Sequence, residues 1–308
     1  MQRNTKPTLI VVTGPTASGK TGLAIELAEH FDTEIVSADS RQIYRGIPIG
    51  TASPTPEQLA RVRHHFIATL GLDEYYSAAL YEEQALETLN DIWDSGRDYA
   101  VMCGGSMMYI DAVTRGIDPL PTISDRVREK ALEIYNTGGL EALHKTLQEI
   151  DPETLRSCDP QNHRRLIHAI EITLEAGVPC SSLRTGTVKE RPFNVVKLAI
   201  GHSREALFDR INRRVDVMME QGLEQEARSV YPLRHLNSLN TVGFKEMFAH
   251  FDGLMDYDTA VARIAKNTRV YAKKQMLWLS KDPSAIMLDP SDAFREAIAA
   301  IGENGTIE

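Results

Sequence analysis

The chain has little cysteine: Cys103, Cys158 and Cys180 are the only three in 308 residues. The number is odd and no C-x-x-C spacing occurs, which excludes a disulfide framework and a thiolate zinc site and leaves idle or buried thiols. Long apolar runs are missing too. No stretch approaches about 18 continuous apolar residues, and no cationic stretch precedes an apolar run at the N-terminus. We therefore expect a soluble, cytoplasmic chain with no membrane partner, acting as a monomer. Repeats and low-complexity tracts are absent. Positive charge is in short supply, with 34 Lys and Arg against 43 Asp and Glu and a net charge of −9. That argues mildly against a nucleic-acid partner, because phosphate binding is driven by cations. A total hides distribution, however, and local clusters decide the matter. The remaining composition, 42% hydrophobic and 25% charged, is ordinary for a globular protein with one large or two modest domains.

What is present is organised around Gly14-Pro15-Thr16-Ala17-Ser18-Gly19-Lys20-Thr21. The β-branched run Leu9-Ile10-Val11-Val12 precedes it, and Leu23, Leu27 and Phe31 follow at helical spacing. Strand, tight loop and helix start are the context that G-x-x-x-x-G-K-[ST] requires. Gly14 and Gly19 allow successive N–H groups to turn inward on an anion. Lys20 adds a point charge, Thr21 a hydroxyl suited to Mg²⁺, and the helix end a partial positive charge. The motif predicts a phosphate or pyrophosphate site.

Further along, Glu34–Ala38 and Tyr99–Cys103 read as strands, with a helix between them that Ser77 caps and Gly96 stops. Alternation of strand and helix predicts a parallel sheet with right-handed crossovers. From about Gly116 only helical patterns occur, over roughly 65 residues. Asp151-Pro152 and Asp159-Pro160 read as helix starts, Gly138-Gly139 and Gly177 as stops. Val195–Ile200 then restores a strand. A helix capped by Ser203 follows, with Arg210, Arg213 and Arg214 on its polar side. After it come a long helix from about Asp258 to Ser280 and a strand at Ala285–Leu288. The fold class expected is α/β, a P-loop NTPase-like parallel sheet flanked by helices with an all-helical insertion domain. Residues 1–115 and 190–308 would form the catalytic core and 116–189 the insertion.

Asp39, just past the second strand, is suited to hold Mg²⁺, act as a general base, or cap the next turn. The third strand ends in Cys103-Gly104-Gly105-Ser106 without the acid that a nucleotide hydrolase or kinase usually places there, which favours the base. Gly104-Gly105-Ser106 reads equally as a backbone nest or a plain turn. His64-His65 lacks acidic or thiol partners and reads as structural. On the long helix, Arg263, Lys266, Arg269, Lys273, Lys274 and Lys281 fall within an arc of about 140°. No acid lies between Arg263 and Lys281. Such a face is either solvated or presented to an anionic polymer. Ile264, Tyr271 and Trp278 form a separate stripe expected to pack on the core. Arg164, Arg165 and His168 add a second basic patch.

Taken together, these pieces resemble the tRNA dimethylallyltransferases, the isopentenyl-diphosphate:tRNA isopentenyltransferase family. The resemblance runs nearly end to end. It rests on the loop GPTASGKT, DSRQIY with the following Arg45–Ala52, GGSMMY, Asp118-Pro119-Leu120-Pro121, DPQNHRR at 159–165, Arg213–Asp216, GFKE and TRVYAKKQMLW at 268–278. The chain departs from the family at Ser106, where Thr is commoner, and at Phe244, where Tyr is. Ala68–Gly71 stands where an Asp-Pro pair is usual, and the zinc-finger extension of eukaryotic relatives is absent. The resemblance implies transfer of the dimethylallyl group from dimethylallyl diphosphate to N6 of the adenine 3′ of the anticodon, in tRNAs reading codons that begin with U. It implies Asp39, Thr16 and Arg214 as catalytic residues, the loop residues Gly14 to Thr21 as the diphosphate site, and Thr21 as the Mg²⁺ ligand. The tRNA anticodon stem-loop would meet Asp39, Ser40, Arg41, Gln42, Gly105 and Ser106. It would also meet Arg128, Gln161, Asn162, His163, Arg164 and Arg165, and finally Gly243, Phe244, Lys245, Lys273, Lys274 and Gln275. An enzyme for free adenine nucleotides and a P-loop small-molecule kinase are the alternatives.

Overall fold

In β1, Thr8–Thr13, the residues Leu9, Ile10, Val11 and Val12 are all fully buried. A strand buries both faces only where helices cover both sides of its sheet. The structure, a computed structural model describing residues 6–304, provides that arrangement. Ile10 and Val12 pack with Leu23, Leu27, Val101, Leu198 and Ile301 on one face. Leu9 and Val11 pack with Met102, Tyr81, Leu89, Trp93 and Ile110 on the other. The remaining strands are β2 (Ile35–Ser37), β3 (His64–His65), β4 (Tyr99–Cys103), β5 (Asn194–Ile200) and β6 (Ala285–Leu288). All pair in parallel, in the order β3-β2-β4-β1-β5-β6. The fold is thus a P-loop-like parallel sheet flanked by helices.

Register fixes where the loops emerge. Val12 lies opposite Cys103, Ser37 opposite Cys103, and Thr13 opposite Ala199. Gly14, Asp39 and Gly104 therefore leave the sheet at one edge, beside β1, where the chain order reverses between β4 and β5. Open α/β sheets bind ligands at that place. A third apolar cluster, with Ile43, Ile47, Val215, Leu223, Phe244, Met247 and Ile264 at its centre, builds the wall beyond that edge. The His64-His65 pair is structural, as read. It forms the edge strand β3, and His65 Nε2 lies 2.7 Å from Glu34 Oε2.

Two compact units divide the chain, one comprising residues up to Thr114 and from Glu190 onward, the other Arg115–Lys189. The second consists of the helices Asp125–Ile150, Pro152–Ser157, His163–Ala176 and Cys180–Leu183. Its two ends are joined, Lys189 N donating to Arg115 O at 2.7 Å. Gly138-Gly139 is a stop, as expected: Gly139 leaves helical geometry (φ 60°, ψ −149°) and divides Asp125–Ile150 into two helical runs. One expectation needs correction here. Asp159-Pro160 starts no helix, because the Asp159 carboxylate accepts Gln161 N at 3.0 Å in a local turn. Asn162 becomes the cap, accepting Arg165 N at 3.3 Å.

Asp151 is the polar centre of this unit, fully buried. Its carboxylate accepts from Thr154 N and Oγ1 at 3.1 and 2.6 Å and from Ser181 N and Oγ at 2.9 and 2.7 Å. Burial alone would raise its pKa, yet the four donors outweigh burial and hold it below the ordinary value. A carboxyl depressed in the fold stabilises above its unfolded pKa of about 3.9, and that contribution is lost as pH falls through the folded value. Asp151→Ala also leaves buried donors unpaired, so stability should fall by about 3 kcal/mol at pH 7. Urea unfolding at pH 7 and at pH 3 checks both: the gap between variant and wild type should narrow at the lower pH.

Candidate active site

The phosphate loop has the backbone its sequence requires. Gly14 and Gly19 sit at φ 136° and 99°, and Ala17 is also left-handed at φ 65°. Two side chains hold the loop from outside. Arg210 Nε donates to Ala17 O at 2.7 Å, and His202 Nε2 lies 2.8 Å from Ser18 O. Tying those carbonyls outward turns the peptide N–H groups toward the cradle. Ser18 Oγ, buried within the loop, has no hydrogen-bond partner among the described residues. An orphaned hydroxyl in a cradle of amides fits an anion. Neither Arg210 nor His202 was singled out as a site residue; Arg210, one turn before Arg214, carried the only signal.

Among the described residues, Lys20 Nζ donates to Pro15 O alone, at 3.3 Å. Burial, and then the nearby Arg214, lower its pKa, while Cys103 and Asp39 act the other way. Arg214 donates to Thr16 Oγ1 at 3.2 Å. Burial and the neighbouring Arg210 lower its pKa too, opposed by Asp39. Cations held in this state gain from any anion that enters. Burial pushes the Cys103 thiol up to about 11, with nearby Lys20 and the Thr21 hydroxyl acting the other way.

Asp39 caps the next turn and also faces the cavity. Its Oδ1 accepts Arg41 N at 2.9 Å and Gln42 N at 3.3 Å, and Oδ2 has no partner among the described residues. The adjoining turn is tight: a Cβ on Gly104 would lie 2.1 Å from Ala38 O. Gly104 N donates to Val12 O and Ser106 N to Ala38 O, so Gly104-Gly105-Ser106 is a turn and not an anion nest. Ser106 Oγ accepts Ser40 N at 2.9 Å, which fixes the segment carrying Asp39.

A cavity of about 400 Å³ joins these groups. Thr16, Asp39, Ser40, Arg41, Ser106, Arg214 and Lys245 line it, with Val215, Met218, Ile264 and Tyr271 as its apolar wall. Tyr271 corrects an expectation. It does not pack into the core but stands 41% exposed in this wall, although Ile264 is buried as expected. Four residues expected to meet tRNA are instead interior. Phe244 is fully buried, its ring so close to Gly50 that a Cβ there would lie 2.5 Å away. Gly243 is buried at the start of the helix Phe244–Phe251, its N–H donating to Glu246. Gly105 and Gln275 are buried together, Gln275 bonding both Thr16 N and Gly105 O. Gln42 braces the cavity wall, donating to Thr51 O and Ala52 O.

The cations of the long helix, Tyr257–Leu279, run along its outer side. Lys273 and Lys274 are exposed, and neither they nor Arg263, Lys266 and Arg269 form an ion pair among the described residues. Lys273 Nζ lies 5.6 Å from the Phe208 ring. In the helical unit, Arg128, Gln161, Arg164 and Arg165 are exposed, while the His163 ring stacks on Tyr135 with centroids 5.1 Å apart.

An IPP transferase family model matches residues 42–282. The chain is 51% identical over 283 residues to tRNA dimethylallyltransferase 1 of Phocaeicola vulgatus, covering 92% of this chain and 94% of that protein. It is 50% identical over 276 residues to the Bacteroides thetaiotaomicron protein of the same name, covering 90% and 89%. Among solved structures, it resembles the full-length tRNA isopentenylpyrophosphate transferase of Bacillus halodurans, with TM-score 0.71 and 31% identity over 98% of this chain and 99% of that one.

Proposed function

The chain belongs to the IPP transferase family of tRNA dimethylallyltransferases, and we propose that its cavity transfers the prenyl group of a prenyl diphosphate to an adenine of the tRNA anticodon stem-loop and releases diphosphate. The observation that carries this reading is the open oxygen of Asp39 in one cavity with Thr16 of the phosphate loop and its partner Arg214. An exocyclic adenine amine is a poor nucleophile until its proton has an acceptor. As the bond from N6 to the allylic carbon forms, that proton passes to Asp39 Oδ2. The carbon–oxygen bond of dimethylallyl diphosphate breaks, and the charge gathering on diphosphate is met by the loop amides, Lys20, Thr16 and Arg214.

No group of three or more His, Cys, Asp or Glu suited to a metal occurs among the described residues. Mg²⁺ is commonly held by one or two protein oxygens with phosphate oxygens and water, which fits the lone hydroxyl of Thr21. Bound there, it would supply further neutralisation of the diphosphate. No helix among the described residues is long and apolar enough to cross a membrane, and we read the enzyme as a cytoplasmic monomer. The adenine must leave its stack to reach the cavity, so the RNA has to be gripped outside it.

Labelled dimethylallyl diphosphate offered with an anticodon stem-loop, AMP or a phosphoryl acceptor tests the reading. Label is expected in the RNA alone, with no need for ATP. Transfer to AMP, or ATP turnover coupled to product, would establish one of the two alternatives.

Lys273 and Lys274, exposed and without an ion pair among the described residues, are expected to contact RNA phosphates. Replacing both with Ala should weaken stem-loop binding and flatten its salt dependence by about 0.7–0.9 in slope per lost contact. Donor affinity should not change. Filter binding at several salt concentrations measures this, and an unaltered slope would leave Arg164 and Arg165 as the phosphate contacts.

A further inference from the structure

Gln275 belongs to the cationic helix but not to its exposed face, being 4% exposed. Both ends of its amide are used. Oε1 accepts Thr16 N at 2.9 Å, and Nε2 donates to Gly105 O at 2.9 Å. The fit is close, since a Cβ on Gly105 would lie 2.4 Å from Gln275 Nε2.

The two partners lead to opposite ends of the reaction. Thr16 Oγ1 takes the Arg214 guanidinium at 3.2 Å, on the diphosphate side. Gly105 leads into Ser106, whose hydroxyl holds Ser40 N at 2.9 Å, next to Asp39 on the amine side. The Thr16 N–H is also diverted from the anion cradle into this link. Only a planar amide, a donor and an acceptor on one carbon, satisfies both loops from one buried position.

We propose that Gln275 is a positioning residue that sets the distance between the diphosphate loop and the general base, and that it touches neither RNA nor donor. The proposal rests on the transfer reaction read above. Misplacing reacting groups by about 1 Å can reduce rate about 10²-fold without altering ground-state binding. A positioning role therefore lowers kcat selectively. A direct RNA contact would weaken stem-loop affinity and leave kcat intact at saturating RNA.

The test compares wild type with Gln275→Leu, Gln275→Glu, Gly105→Ala and the Gly105→Ala/Gln275→Leu double variant. Measurements are steady-state kinetics with dimethylallyl diphosphate and anticodon stem-loop, and stem-loop Kd by filter binding. Gln275→Leu should lose about 10²-fold in kcat with stem-loop Kd within about twofold. Gly105→Ala, which displaces the amide, should show the same pattern. The double variant should be no worse than about threefold below either single one, because both break one link. Gln275→Glu keeps the acceptor for Thr16 N and loses the donor to Gly105 O. It should fall between wild type and Gln275→Leu, and it decides the matter if the leucine variant does not fold. Unchanged kcat, weakened stem-loop Kd with kcat retained, or multiplicative losses in the double variant would each overturn the positioning role. A wild-type protein that transfers no prenyl group would overturn the functional reading itself.

Discussion

Asp39→Asn is expected to lower turnover by roughly 10²–10⁴-fold, the usual worth of general base catalysis, with stem-loop binding little changed. The substitution is close to silent structurally. The amide that replaces the carboxylate can keep its carbonyl oxygen on Arg41 N and Gln42 N, the bonds that Asp39 Oδ1 now accepts at 2.9 and 3.3 Å. Its nitrogen then lies where Oδ2 was, so a proton acceptor becomes a donor aimed at the incoming amine. Single-turnover assays at saturating RNA isolate the chemical step from binding. Near-normal turnover in this variant would remove Asp39 as base and leave it only the capping role that the same structure displays.

Lys20→Met should move catalysis and stability in opposite directions. Transfer is expected to fall about 10²–10³-fold in kcat/KM, as when a preorganised charge on a leaving anion is removed. Without ligand, however, the ammonium is poorly matched. Among the described residues it has one carbonyl partner, Pro15 O, and burial followed by Arg214 lowers its pKa below 10.5. Between the lowered value and 10.5, the unfolded chain binds more protons than the fold, so stability rises with pH across that window. Below it, the charged group opposes folding. Methionine removes that opposition and keeps an unbranched stem, so the thermal midpoint of the ligand-free protein should rise. Loss of activity with a raised midpoint separates a functional deficit from misfolding. A lowered midpoint, or retained kcat/KM, contradicts this account of Lys20.

Features carried by consecutive residues were legible in the sequence. The buried run before Gly14, the glycine positions of the loop, and the strands Tyr99–Cys103 and Ala285–Leu288 are local signals, and they lie where expected. Features that depend on what faces an element were not. On a helical wheel Tyr271 sits between Ile264 and Trp278, which implies core, yet the cavity opens at that level of the helix. Gln275 follows two exposed lysines and resembles a third RNA contact, and only the approach of Thr16 and Gly105 makes it interior. Phe244 was misplaced because a motif's residue order does not say which side chains hold the motif together. The strand His64–His65 is too short for any periodicity and exists through its pairing with Ile35 and Val36.

The hydrogen bond between Lys189 N and Arg115 O gives the helical unit a neck. The fit there is close, since a Cβ on Gly116 would lie 2.4 Å from Lys189 Cδ. A segment whose exit and return are stapled together places little demand on its host when its length changes, each doubling of an open loop costing only about 0.6 kcal/mol. The helices beyond the neck form, in this sense, a replaceable cassette. A graft that replaces this unit should keep Arg115, Gly116 and Lys189 and is free to exchange what lies between.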